Sequence, residues 1–159
     1  MHQTLPVFGI AASAHCFYHQ KKRDASRKLS LINISTMAVH NFDIAAIKPN
    51  YSASKTAGTV LVQQIAQGVS PDDMQVNSFH PGAILTAAAK RAGYTEETMP
   101  WDDEDLPGHY AVWAASDEAK FLHGRFTWAA WDVDEVASGP IREKINGNSH
   151  YLKTGIVGV

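Results

Sequence analysis

Apolar and polar positions along the chain change period several times, and each change separates one expected element from the next. Residues 5–20 place Val7, Ile10, Ala11, Ala14, Phe17 and Tyr18 at helical spacing, which predicts a helix with one apolar side. A polar stretch over 21–28, opened by Lys21-Lys22-Arg23, breaks it. Residues 29–35 (LSLINIS) are β-prone and suit a strand covered on both faces. After an irregular loop closed by Pro49, residues 51–67 predict a long helix with small residues at its start, and Gly68 supplies a stop. Residues 74–79 (MQVNSF) predict a second strand, halted by His80-Pro81-Gly82 because proline cannot continue a central ladder. Residues 84–103 read as a mobile connection with weak helical character, and 106–116 as a third helix with proline near its first turn. A third strand is expected over 126–131, followed by Asp132, Asp134 and Glu135, and the tail from 138 onward reads as helix and loop.

Strand, helix, strand, helix, strand is the alternation of an α/β layer, and crossovers of this length imply parallel strands joined by right-handed connections. In open sheets of that kind ligands bind beyond the carboxyl ends of the strands. The 159 residues form no internal repeat and read as a single domain, 1–159.

Composition adds exclusions. At 45% hydrophobic and 19% charged residues the chain is neither disordered nor a coiled coil in character. Fourteen Lys and Arg against sixteen Asp and Glu give a net charge of −2, too balanced for an electrostatic footprint on nucleic acid or anionic lipid. Cys16 stands alone, so no internal disulfide forms and a reducing compartment, the cytoplasm, is expected. The apolar run over 5–14 falls far short of the roughly 20 residues of a membrane span. It also lacks a preceding Lys or Arg, which reads against a secretory leader.

Chemistry-bearing residues collect at the expected strand ends. Ser35 and Thr36 follow the first strand, Pro81-Gly82 follow the second, and Tyr51 and Lys55 share one face of the intervening helix at i,i+4 spacing. An ammonium beside a phenol favours the phenolate and brings it toward acid/base work near neutrality, while a nearby hydroxyl can bond a substrate oxygen. Together these groups suit proton transfer to an alcohol or carbonyl, with the hydride moved by another agent.

Asn33-Ile34-Ser35-Thr36, Tyr51-Ser52-Ala53-Ser54-Lys55 and Pro81-Gly82-Ala83-Ile84-Leu85-Thr86 occur in this order, and with this approximate spacing the chain resembles the short-chain dehydrogenase/reductase family. The resemblance runs from about Val7 to the end, and segments 122–136 and 151–158 are similar to fungal members. It implies a three-layer Rossmann-like parallel sheet, here the C-terminal half of the doubly wound fold. It further implies NAD(P), NADP ahead of NAD, as cofactor and a small-molecule secondary alcohol or ketone as substrate. Tyr51 is then the general acid/base, and Lys55 the ammonium that assists it and binds the nicotinamide ribose. Thr36 falls where the family has its catalytic serine, with Ser35 as the alternative hydroxyl. Pro81, Gly82, Ile84 and Thr86, with Tyr51 and Lys55, match positions that contact the nicotinamide end of the cofactor, and 84–100 matches the variable substrate lid.

The departures are equally specific. Gly9 is the only glycine before residue 58, so no G-x-G-x-x-G cradle for a pyrophosphate can form, and the asparagine often used in the family's proton relay aligns near Pro6. The chain reads as the catalytic half without the adenosine half, its first strand deprived of a neighbour. It is expected to be a poor enzyme alone. The alternative is a catalytically inactive remnant that partners full-length homologues, or pairs with itself, through helices 5–20 and 51–67; a wrongly placed start or intron is a third account.

The other conspicuous residues have plainer readings. Eight scattered histidines, only His15 and His19 at i,i+4, do not make a metal site. His40 and His80 lie near the expected pocket, as substrate contacts or loop caps. Trp101, Trp113, Trp128 and Trp131 read as core or interface. Asp102-Asp103-Glu104-Asp105 reads as a solvated helix start, and the absence of G-x-S-x-G argues against a hydrolase elbow.

Overall fold

The computed structural model describes residues 5–20, 24 and 26–156; Lys21-Lys22-Arg23, His2 and residues 157–159 lie outside the described residues. The elements in chain order are α1 (Leu5–Tyr18), β1 (Leu29–Ile34), α2 (Phe42–Ile47), α3 (Pro49–Gln67), β2 (Met74–His80), α4 (Ala87–Arg91), α5 (Leu106–Ala114), β3 (Phe126–Trp128), α6 (Val133–Ser138) and α7 (Pro140–Gly147). The three strands form one parallel sheet in the order β1-β2-β3. This is the α/β layer expected from the alternation and the Rossmann-like parallel sheet that the resemblance implies.

β2 is the spine of the sheet. Met74 and Val76 point into a cluster with Leu29, Val62 and Ala66, against which Ile10 and Tyr18 of α1 also pack, so that α3 and α1 together cover one face. Phe79 points to the opposite face, against Tyr110, Ala114 and Ala129, where α5 lies. The polar side chains of β2 on that second face are matched to α5: Gln75 Nε2 donates to the carbonyls of Ala114 and Ser116 at 2.7 and 3.0 Å, and Asn77 Nδ2 donates to that of Ala114 at 2.8 Å. A helix leaves its last carbonyls without intrahelical donors, and here two strand amides supply them. That is why a buried strand tolerates polar residues.

Two contacts seat α3. Gly58 sits where an added Cβ would lie 3.0 Å from Ile10 Cδ1, so the small residue lets α1 approach closely. His123 bridges β2 to α3, its Nδ1 accepting from the Val76 N–H at 3.2 Å and its Nε2 donating to the Ala66 carbonyl at 2.9 Å.

Several boundaries depart from expectation. The third strand ends at Trp128 rather than 131, because the chain turns there and the Trp131 N–H donates to the Trp128 carbonyl at 3.2 Å. The loop expected between 36 and 49 contains a short 3-10 turn (Met37–Val39) and α2, the latter capped by Asn41, whose side chain accepts from the Ile44 N–H. Among the described residues β1 has β2 as its single strand neighbour.

Candidate active site

The first turns of α3 carry Tyr51 and Lys55, and Lys55 reaches the carboxyl end of β1. Pro49 begins the helix, where a missing N–H costs nothing. Lys55 Nζ donates to the Ile34 carbonyl at 2.9 Å, the last backbone acceptor of β1, and so ties the helix to the strand end. Burial pushes the Lys55 ammonium below the usual lysine range. Tyr51, one turn earlier, is 45% exposed.

The two candidate hydroxyls are engaged differently. Ser35 extends the pairing of β1 by one residue, its N–H donating to the Phe79 carbonyl at 2.8 Å, and its buried hydroxyl lies 2.6 Å from that of Thr59 on α3. Thr36 caps the 3-10 turn, its Oγ1 accepting from the Ala38 N–H at 3.3 Å. A hydroxyl that accepts in this way keeps its own hydrogen to donate. Among the described residues neither hydroxyl bonds to that of Tyr51. Thr59 was not singled out from sequence, although Tyr51, Lys55 and Thr59 fall at successive i,i+4 positions and so share the stripe that faces the sheet.

The stretch after β2 leaves the sheet through Pro81 and Gly82, both half-buried, and Gly82 takes φ +98°, a left-handed conformation that favours glycine. Ile84 is half-buried. Thr86 is exposed and caps α4, its Oγ1 accepting from the Ala89 N–H at 3.1 Å. Asp102, read from sequence as part of a solvated acidic run, instead returns to this turn and accepts from the Ala83 N–H at 2.7 Å. No periodicity could have signalled that contact, since it joins residues nineteen apart through a loop.

Two histidines border the site. His40 packs edge-on against Phe126 and Trp128, with ring centroids 5.5 and 4.9 Å away. His80, the last residue of β2, has a buried Nδ1 without a hydrogen-bond partner, and burial lowers its pKa against an opposing pull from Asp102. Trp128 stacks on Trp131 at 4.8 Å, and His15 and His19 form an exposed pair 4.5 Å apart on α1. Among the described residues no three His, Cys, Asp or Glu side chains form a group able to hold a metal ion, and no helix is long and apolar enough to cross a membrane.

A cleft of about 750 Å³ lies on a neighbouring stripe of α3, lined by Pro49, Ser52, Ala53 and Thr56 together with α2 and Lys153. Tyr51 and Lys55 do not line it. For a nicotinamide cofactor the fit is therefore confined to one end: Lys55 beside the β1 terminus suits a ribose hydroxyl. The chain has no glycine-rich phosphate cradle to match it.

The chain is similar to known proteins. A family model described as short chain dehydrogenase matches residues 10–97. A short chain dehydrogenase/reductase of Claviceps purpurea is 38% identical over 131 residues, covering 80% of this chain and 43% of the relative. The short chain dehydrogenase/reductase nsrO of Aspergillus novofumigatus is 38% identical over 144 residues, covering 88% and 48% respectively. The chain thus spans less than half the length of these curated relatives. A crystal structure of a Burkholderia xenovorans protein, described as a short-chain dehydrogenase/reductase, superposes with a TM-score of 0.55 at 21% identity over 79% of this chain and 51% of that one, a likeness of fold.

Proposed function

The chain belongs to the short-chain dehydrogenase family, and from that premise we propose that its residues perform the proton-handling part of an NAD(P)-dependent interconversion of a secondary alcohol and a ketone. The observation that carries this reading is the placement of Lys55 Nζ 2.9 Å from the last carbonyl of β1, with Tyr51 one helical turn before it. In the reducing direction the Tyr51 hydroxyl gives its proton to the ketone oxygen as the carbonyl carbon takes up a hydride, and in the oxidising direction the phenolate takes it back. The bound nicotinamide supplies or accepts that hydride. Lys55, with hydrogens left over from Ile34, holds a ribose hydroxyl. Thr36 donates to the substrate oxygen, while Ser35, tied to Thr59, fixes the strand end from which Thr36 projects. Pro81, Gly82, Ile84 and Thr86 form the wall beside the nicotinamide.

NADP ahead of NAD, and the cytoplasm as the site of action, belong to the same reading. A second reading draws on the exposed aromatic side chains of α1, Phe8 at 74% and Phe17 at 39%, on different sides of the helix: a non-catalytic chain that pairs through α1 and α3, with a copy of itself or with a full-length relative. Co-elution with a purified relative in size-exclusion chromatography, without turnover by the chain alone, would establish that second role.

The test of the first uses nicotinamide mononucleotide, a probe that asks only for the end of the cofactor these residues suit. Saturable binding by NMR titration is expected, weakened about fivefold or more in Lys55→Met. Tyr51→Phe should bind the probe within about twofold of the parent and lose any ketone reduction the parent shows. A folded chain that does not bind the mononucleotide, or one indifferent to Lys55→Met, refutes the assignment.

A further inference from the structure

The turn after β2 takes support from a residue distant in sequence. The Ala83 N–H donates to Asp102 Oδ2 at 2.7 Å, and the Asp102 N–H donates back to the Ala83 carbonyl at 2.8 Å. The same carboxylate fills the space a side chain would take at residue 82: a Cβ on Gly82 would lie 2.6 Å from Asp102 Oδ2 and 3.1 Å from its Cγ. Glycine at 82 is thus required twice, once by φ +98° and once by Asp102. The neighbouring acids behave otherwise. Asp103, Glu104 and Asp105 are exposed, whereas Asp102 is half-buried.

The segment that this neck closes has fastenings of its own. The Trp101 indole N–H donates to the Thr95 carbonyl at 2.9 Å and its ring meets Tyr94 edge-on at 6.1 Å, while the Thr95 N–H donates to Thr98 Oγ1 at 2.8 Å. Residues 84–101, with α4 among them, therefore form a segment whose ends are drawn together by a side chain.

We propose that Asp102 is a positioning residue: by closing the neck of the 84–101 segment and occupying the bare face of Gly82, its carboxylate sets the conformation of the 81–86 stretch at the carboxyl end of β2. That this stretch lies beside a nicotinamide rests on the function proposed above. The clip itself does not.

Three chains test it, the parent, Asp102→Ala and Asp102→Asn, the last keeping an oxygen acceptor of the same shape. In Asp102→Ala the Ala83 amide should exchange with deuterium about tenfold faster than in the parent. Trypsin should cut after the exposed Lys90 and Arg91 about threefold faster. Asp102→Asn should stay within about twofold of the parent on both measures, and exchange in β2 should be unchanged in every chain. Ala83 exchange that does not respond to Asp102→Ala overturns the proposal. So does an Asp102→Asn chain that behaves like Asp102→Ala, or a loosening of β2 in the same proportion, which would mean general destabilisation. Nicotinamide mononucleotide separates this proposal from the reading beneath it. A neck that opens as expected in a parent that binds no probe sinks the nicotinamide assignment and leaves the clip standing. A parent that binds the probe, with an affinity untouched by Asp102→Ala, sinks the positioning role.

Discussion

β1 and β2 run side by side in register from Leu29 opposite Met74 to Ile34 opposite Phe79, yet their surroundings are opposite. β2 is flanked on both sides by strands and is buried from Met74 to Phe79. β1 has one strand neighbour among the described residues and grades from buried Leu29 to Ile34, which is 52% exposed. On β2, polar side chains survive because another element answers them, the amides of Gln75 and Asn77 meeting the last carbonyls of α5. On β1, Ser30 Oγ donates to the Ala115 carbonyl at 3.3 Å and Asn33 Nδ2 to Ser78 Oγ at 3.1 Å, and at the end of the strand the Ile34 carbonyl takes Lys55 while Ser35, the next residue, pairs with Thr59. Both strands bond toward the α5 terminus, and the end of the outer one also seats α3.

That contrast yields a ranked set of stability changes, each readable by denaturant unfolding. Phe79→Ala empties a site with no solvent exposure between α5 and the sheet and should cost about 3–5 kcal/mol. Asn77→Ala, which strips a buried donor from the α5 terminus, should cost about 1–3 kcal/mol. Ser35→Ala removes one hydroxyl pair at the mouth of the site and should cost about 1 kcal/mol, with Thr59→Val giving a similar loss and the double variant little more than either alone. Ile34→Lys, on the exposed outer strand, should change stability by no more than about 0.5 kcal/mol. A large loss at Ile34, or a small one at Phe79, would break the contrast between the two strands.

The strands and the long helix are the legible part of the chain. LSLINI and MQVNSF are short β-prone runs between polar breaks, and the helical spacing of α3 continues without interruption into its core residues Val62 and Ala66. What periodicity leaves hidden is the work of single side chains that bond backbone. Asn41 starts α2 inside an expected loop, and Asp132 starts α6 by accepting from the N–H groups of Asp134 and Glu135. In both cases a capping residue was present in the sequence, ahead of a helix of six residues, too short for its pattern to show. The candidate site divides along the same line. Tyr51 and Lys55 are visible because i,i+4 spacing is a local property, whereas the partnership of Ser35 with Thr59 and of Ala83 with Asp102 depends on how distant segments meet.

The bond from Lys55 to the end of β1 has a consequence for whatever arrives there. An ammonium carries three hydrogens, and the strand carbonyl engages one of them. Two remain, already aimed by an anchored stem, so an incoming hydroxyl can be captured without first immobilising a flexible four-carbon arm. The entropy that such a capture would ordinarily forfeit has been surrendered in advance, when the chain folded.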